Sequence, residues 1–248
     1  MLIIEKPIIF IANKHKEILD SVSVYDNLSL TCNLNAFQTA SFKIYRDVDS
    51  KKQDYFKLFE EEMLIMIPGV SWYEIHVETN IEPTGISKSI TGNSLECKLC
   101  DKRLVDFQVN CNDLDIEDYV FTPFCNPTDP EHSLLHKILN VSPTWTVGHV
   151  DSSLANLSRS FDESDTDVYS FLTGTVSEAF NCLFTFDTFN CTVNAYDLDK
   201  YGRNTDIFVS MDNLAQNMTE TVDENSIFTC YRVIGGEDIQ IAEVNPNG

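Results

Sequence analysis

Cys97 and Cys100, spaced Cys-x-x-Cys, are the first residues whose types could do chemistry, either as half of a tetrahedral zinc site or as a redox dithiol. Zinc would need two further ligands, for which Cys111 and Cys125 are in reach along the chain. The segment SLECKLCDKRLVDFQVN (94–110) alternates, however, so a strand would place Leu95, Cys97 and Leu99 on one face and Glu96, Lys98 and Cys100 on the other. A zinc knuckle wants a glycine-bearing turn between its cysteines instead. Most of the eight cysteines lie in apolar or alternating runs, such as Cys32 in LSLTCNL, Cys191 in FNCTVNAY and Cys230 in IFTCYRV. They read as reduced, buried small hydrophobes.

His132 and His136 have the i,i+4 spacing of a metalloprotease helix, but the run is His-Ser-Leu-Leu-His and Glu131 precedes the pair. The general base beside a metal-bound water is missing, so a partly exposed helix face is expected. His15, His76 and His149 have no partner visible in the sequence. Asp197-x-Asp199-x-Tyr201-Gly202 resembles the start of a calcium loop, yet Phe208 stands at the twelfth position, where a bidentate Glu is required. A tight turn is expected there. Asp162, Asp165 and Asp167 sit just before an expected helix, where carboxylates cap free N–H groups.

A glycosidase pair needs two carboxylates about 5 to 9.5 Å apart, which spacing along a chain cannot reveal. No G-x-S-x-G elbow, P-loop or G-x-G-x-x-G fingerprint occurs. The sequence therefore nominates no catalytic, cofactor-binding or metal-binding residue and no cofactor, and the chain is expected not to be an enzyme. Trp72 and Trp145 are the aromatics that a sugar-binding platform would use, although packing is the commoner fate of such residues.

These residues must be positioned by a chain of 248 residues, 43% of them apolar and 23% charged, which is enough for a substantial core. The net charge of −22 repels nucleic acid and anionic lipid, which excludes tight nucleic-acid binding and a polybasic membrane module. No apolar run approaches the roughly 20 residues that span a bilayer, so stable membrane insertion is not expected, and the opening MLIIEKP lacks a signal-peptide pattern.

The first hundred residues read as strands: IIFIAN (8–13), SVSVYDNLSLTCNL (21–34), SFKIYR (41–46), and SWYEIHVETN, with a turn at Pro68-Gly69. In the last of these strands Trp72, Glu74, His76 and Glu78 face one way, and Tyr73, Ile75, Val77 and Thr79 the other. A barrel-like or sandwich β module over 1–110 is expected. Then Asp113, Asp115, Glu117 and Asp118 crowd into seven positions, and three prolines follow. Pro130 opens a short helix with Leu134, Leu135, Ile138 and Leu139 as its stripe. A second helix carries Val168, Phe171, Leu172, Val176, Ala179 and Phe180, interrupted by Gly174, and leads into a hairpin around Asp-Thr-Phe-Asn. Residues 111–205 thus form an α/β insert with two helices and a hairpin. Residues 206–248, with strands such as DIFVS, return to the first module or complete the second. The fold class is α+β and β-rich.

At the second helix and hairpin the chain resembles a known family. SFDESDTDVYSFLTGTVSEAFNCLFTFDTFNCTVNAYDLDKYG, then TDIFVSMDNLAQNM, IFTCYRVIGG and VNPNG, is similar to the tail hub proteins of long-tailed phages and prophages, the prophage tail endopeptidase-type minor structural proteins. The matching positions include Tyr169, Phe171, Leu172, Glu178 to Cys182, Phe186-Asp187-Thr188, Asn194 to Tyr196, Gly202, Asn213-Leu214, Thr229, Gly235 and Asn245-Pro246. Lys88 to Glu96 is similar to the segment preceding the insert. The resemblance is good over 85–248 and weak over 1–84.

The resemblance implies a baseplate-hub fold with barrel-like β domains in a homotrimeric ring. Such a ring closes the tail tube and anchors distal receptor-binding or lytic parts. Its partners would be distal tail, tail-tube or tape-measure proteins, and its place the virion tail tip, or the bacterial cytoplasm before assembly. The family's enzymatic region lies beyond the matched segment, so the endopeptidase label does not transfer and an N-terminal structural portion is expected. A carbohydrate-binding adhesion module and a cell-wall hydrolase are the alternatives.

Overall fold

The computed structural model describes residues 6–33, 36–49, 51–83, 85–111 and 121–202. All belong to a compact unit that ends at Gly202. The acidic run Asp113 to Asp118, the strand DIFVS, Phe208, Cys230 and the matching positions from Asn213 onward lie outside the described residues.

Seven antiparallel strands form the main sheet: β1 (Ile9–Ala12), β2 (Ile18–Val22), β3 (Asp26–Thr31), β4 (Thr39–Tyr45), β7 (Leu64–Ile67), β8 (Ser71–Glu82) and β9 (Gly85–Ser94). Their order is β2-β1-β7-β8-β9-β4-β3. A small ribbon joins β5 (Asp47–Val48) to β6 (Lys51–Lys52). The alternation read in the sequence is realised across two cores. On β7, Ile65 and Ile67 enter a core with Ile9, Ile11, Phe42, Tyr73, Ile75 and Phe59, while Leu64 on the opposite face joins a second core with Trp72 and Leu95.

The barrel-like module is corrected by this topology. A barrel needs every strand paired on both sides, and β2 and β3 each end the sheet unpaired among the described residues. Only residues 23–25 separate these two edge strands in the chain. Instead of closing the ladder, this link turns inward at Tyr25, which is 2% exposed and donates its hydroxyl to the Pro7 carbonyl at 2.6 Å. Asn27 adds a left-handed kink (φ 56°) beside a register shift between Asp26 and Ser29. The fold is mixed α/β with several separate sheets, none closed into a barrel among the described residues.

The other two sheets lie later in the chain. Strand β10 (Arg103–Val109) pairs antiparallel with β12 (Phe161–Asp167). Strand β11 (Thr146–Val150) runs parallel to β14 (Thr192–Asp197), which pairs antiparallel with β13 (Cys182–Asp187). Helix α1 (Leu134–Leu139) follows a 3-10 turn at Pro130–His132, and its four-residue apolar stripe is fully buried, each side chain contributing about 1.5–3 kcal/mol. Helix α2 (Ser152–Ala155) is a single turn. The second expected helix exists as one run: α3 (Val168–Ser170), a π-helix at Phe171–Val176 containing Gly174, and α4 (Ser177–Phe180). It ends at Asn181 in the left-handed conformation, φ 49°.

Two local readings are corrected. Residues Leu95–Asp101 are a 3-10 helix rather than the start of a strand: Glu96 is buried beside Leu95, which breaks the alternation, and Glu96 and Leu99 share a face at the three-residue spacing of such a helix, so the strand begins only at Arg103. FDESDTD is strand β12, not a polar lead-in to a helix, because β10 supplies partners for its acids. Arg103 grips Asp165 through two contacts of 2.9 and 2.7 Å, and Gln108 donates to Asp162 at 3.1 Å. Asp167 alone caps the helix as expected, accepting from the Ser170 amide at 2.8 Å.

Candidate functional site

The chemistry-bearing residues do not converge. Cys97 and Cys100 share one turn of the 3-10 helix, but burial pushes the Cys97 thiol up to about 12 and the Cys100 thiol up to about 11, the reverse of what a zinc or redox thiolate needs. Cys111 donates to the Phe161 carbonyl at 2.8 Å. No cluster of three or more His, Cys, Asp or Glu side chains suited to a metal occurs among the described residues. His132 and His136 are not on one helix face: Ser133 between them is extended (φ −119°, ψ 142°), and His132 pairs instead with Asp129 at 3.1 Å.

The Asp197 to Gly202 segment is a turn closed by its own backbone, the Tyr201 amide reaching the Asp197 carbonyl at 2.8 Å. Asp197 accepts from Ser153 at 2.6 Å and Lys200 at 3.0 Å, and these bonds hold its carboxyl below the usual range. Close by, His149 meets Asp151 at 2.9 Å. A serine, a histidine and two aspartates therefore gather here, but the Ser153 hydroxyl donates to a carboxylate, not to the imidazole that would have to activate it.

Trp72 and Trp145 are buried, at 7% and 5% exposure, so neither forms an exposed sugar platform. Trp72 is instead part of the junction that ties the main sheet to the β13–β14 hairpin. Thr188 in the hairpin turn is buried and accepts from the Trp72 amide at 2.9 Å, and its hydroxyl lies 2.8 Å from that of Ser71. Lys16 reaches the Thr188 carbonyl at 2.7 Å with its ammonium 5.6 Å from the Trp72 ring centroid. Asp187 to Asn190 was legible as a hairpin turn, whereas the attachment of Thr188 to Ser71 was not.

Two larger cavities flank these elements. One, of about 480 Å³, lies between α1, the 125–130 loop and β11, and is lined by His136, Leu139, Trp145 and Val147 among others. The other, of about 390 Å³, lies under α3 and β13 and contains Glu96, a residue the sequence did not single out. Glu96 is 5% exposed. One carboxylate oxygen accepts from Ser94, and Oε2 has no hydrogen-bond partner among the described residues. Burial raises its pKa above the ordinary carboxylate value.

The described residues form an open antiparallel sheet with smaller sheets and short helices, and comparison with solved structures finds this fold among phage tail proteins. The chain is similar to the prophage tail protein gp18 from Listeria monocytogenes EGD-e, with TM-score 0.57 and 14% identity over 82% of this chain and 54% of that one. It is also similar to the tail protein from Neisseria meningitidis MC58, with TM-score 0.51 and 10% identity over 77% of this chain and 50% of that one. The fold is thus that of prophage tail proteins. In sequence it matches the SPbeta prophage-derived uncharacterized protein YomG of Bacillus subtilis (strain 168), 32% identical over 102 residues, which are 41% of this chain and 11% of that protein. The chain therefore spans about half the length of the solved tail proteins and a small part of YomG. No protein-family model matches it.

Proposed function

We propose that the chain is a non-enzymatic structural component of a phage or prophage tail, at the tail tip or baseplate hub. There it associates into a homotrimeric ring that closes the tail tube and anchors distal parts. The fold shared with prophage tail proteins over 82% of the chain is the observation that carries this reading. The net charge agrees with a conduit through which DNA passes without adhering, since −22 per chain repels phosphate. The same charge opposes association of three copies, so assembly is salt-dependent: screening shortens the range of repulsion to roughly 10 Å at 0.1 M salt. Particle images and light scattering on the purified chain test this. Hollow threefold rings that appear as salt rises support the hub; a monomer at every salt and micromolar protein concentration removes the ring from the proposal.

A further inference from the structure

Lys16 and Cys191 stand 175 positions apart in sequence, yet the lysine Nζ lies 3.3 Å from the cysteine Sγ. Lys16 sits in the turn between β1 and β2, and Cys191 closes the turn between β13 and β14. Both have left-handed backbones, φ 62° and φ 53°, which residues other than glycine adopt uncommonly. Both side chains converge on the Thr188 carbonyl, which accepts from Lys16 Nζ at 2.7 Å and from the Cys191 thiol at 3.8 Å. A shared acceptor therefore holds the amine against the sulfur.

The pair is reachable by a small reagent. Both residues are only half-buried, and they line a cavity of about 290 Å³ together with Lys14 and Lys98. Glu62 engages Lys14 and Glu74 engages Lys98, whereas the Lys16 ammonium rests on the Thr188 carbonyl, the Trp72 ring and the Cys191 sulfur.

We propose that Cys191 and Lys16 form a sulfenamide, a covalent S–N bond, when the protein meets a hydroperoxide. In the first step Sγ takes one oxygen from hydrogen peroxide and becomes a sulfenic acid, the other oxygen leaving as water, so that sulfur is oxidised by two electrons and the peroxide is reduced. In the second step the Lys16 nitrogen, its ammonium proton released to solvent, attacks that sulfur. The S–O bond breaks as the S–N bond forms, and the hydroxyl leaves as water with a proton from the nitrogen. Two equivalents of a small thiol reverse the link, becoming a disulfide and restoring the Cys191 thiol and the Lys16 amine. The bond joins the β1–β2 turn to the late hairpin at the junction where Thr188 meets Ser71 and Trp72, and it closes the long loop between them, so the linked form resists unfolding more than the free one. It requires only these two side chains and a peroxide, and does not depend on the tail reading.

The test treats the purified full chain with a modest excess of hydrogen peroxide, caps the remaining thiols with iodoacetamide and maps the products by mass spectrometry of chymotryptic peptides. A peptide carrying Cys191 joined to one carrying Lys16, two hydrogens lighter than their sum, is expected, and dithiothreitol should separate them. Lys16→Arg keeps the positive charge without a nucleophilic amine, so Cys191 should persist there as the sulfenic acid and take the trapping reagent dimedone severalfold more than in the parent. The melting temperature of the treated parent should rise and fall back on reduction, and that of treated Lys16→Arg should not. Absence of the linked peptide, equal dimedone labelling of Cys191 in parent and Lys16→Arg, or an unchanged melting temperature in a linked sample overturns the proposal. A linked peptide that retains the oxygen overturns the direct S–N bond.

Discussion

The Thr188 and Ser71 hydroxyls lie 2.8 Å apart in the protein interior, although 117 residues separate them in sequence. Through this contact the turn of a late hairpin is bolted to the first residue of β8, and the Trp72 amide donates to the same Thr188 oxygen. Thr188→Val keeps the shape and removes the acceptor, which leaves the buried Trp72 N–H unpaired, while the Ser71 hydroxyl keeps its bond to the Trp72 carbonyl at 3.2 Å. A loss of about 1–3 kcal/mol is expected in urea unfolding. Thr188→Ser should recover most of it; a Thr188→Val variant as stable as the parent would show that the hydroxyl contributes nothing.

Glu96 predicts the opposite sign. With its folded pKa above the unfolded value, the group costs nothing below the unfolded pKa and destabilises increasingly as pH rises toward the folded one. Glu96→Gln should therefore raise the melting temperature at pH 7 and give little gain near pH 4. A variant less stable than the parent at pH 7 would show that the ionised carboxylate is satisfied after all.

How much of this was readable beforehand depended on whether local pattern decided the outcome. Helix α1 was legible because Leu134, Leu135, Ile138 and Leu139 bury one stripe, but Pro130 opens a separate 3-10 turn that the extended Ser133 divides from the helix. The β13–β14 hairpin was legible because Asp187 closes its own turn, accepting from the Phe189 amide at 2.9 Å. The open edge between β2 and β3 was not, because it turns on where Tyr25 packs, which no periodicity encodes. Leu95 and Leu99 satisfy strand and helical spacing alike, and the strand reading lost. The acids of β12 looked like a capping run because Arg103 and Gln108, their partners, lie more than fifty residues earlier. Glu96 gave no signal, since a Glu between Leu and Cys is ordinary in either a strand or a turn.

Five of the described thiols fall into two groups. Cys32 and Cys111 are exposed, whereas burial pushes Cys97 and Cys182 up to about 12 and Cys100 up to about 11. The thiolate is the reactive form, so brief iodoacetamide treatment at pH 7 should label Cys32 and Cys111 and spare the other three. Peptide mass spectrometry reads the positions directly. Rapid labelling of Cys97 and Cys100 in the folded chain would contradict their inert role and reopen the metal and dithiol readings.

Gly148 and Asn194 make the last prediction. Strand β11 shifts register against β14 between Val147 and Val150, and the Asn194 carboxamide fills the bulge, its oxygen accepting from the His149 amide at 2.7 Å. A Cβ on Gly148 would stand 2.3 Å from that oxygen and 3.0 Å from the Thr192 side chain. Gly148→Ala must therefore expel the carboxamide and strip the His149 amide of its acceptor, at a cost of about 1–3 kcal/mol. Asn194→Ala alone loses the same hydrogen bond but opens the space that the new methyl needs. The double variant should thus be less destabilised than the sum of the two single ones, a coupling readable in a denaturant cycle. Strict additivity would mean that the bulge holds its shape without the asparagine, and that glycine is required there for backbone reasons alone.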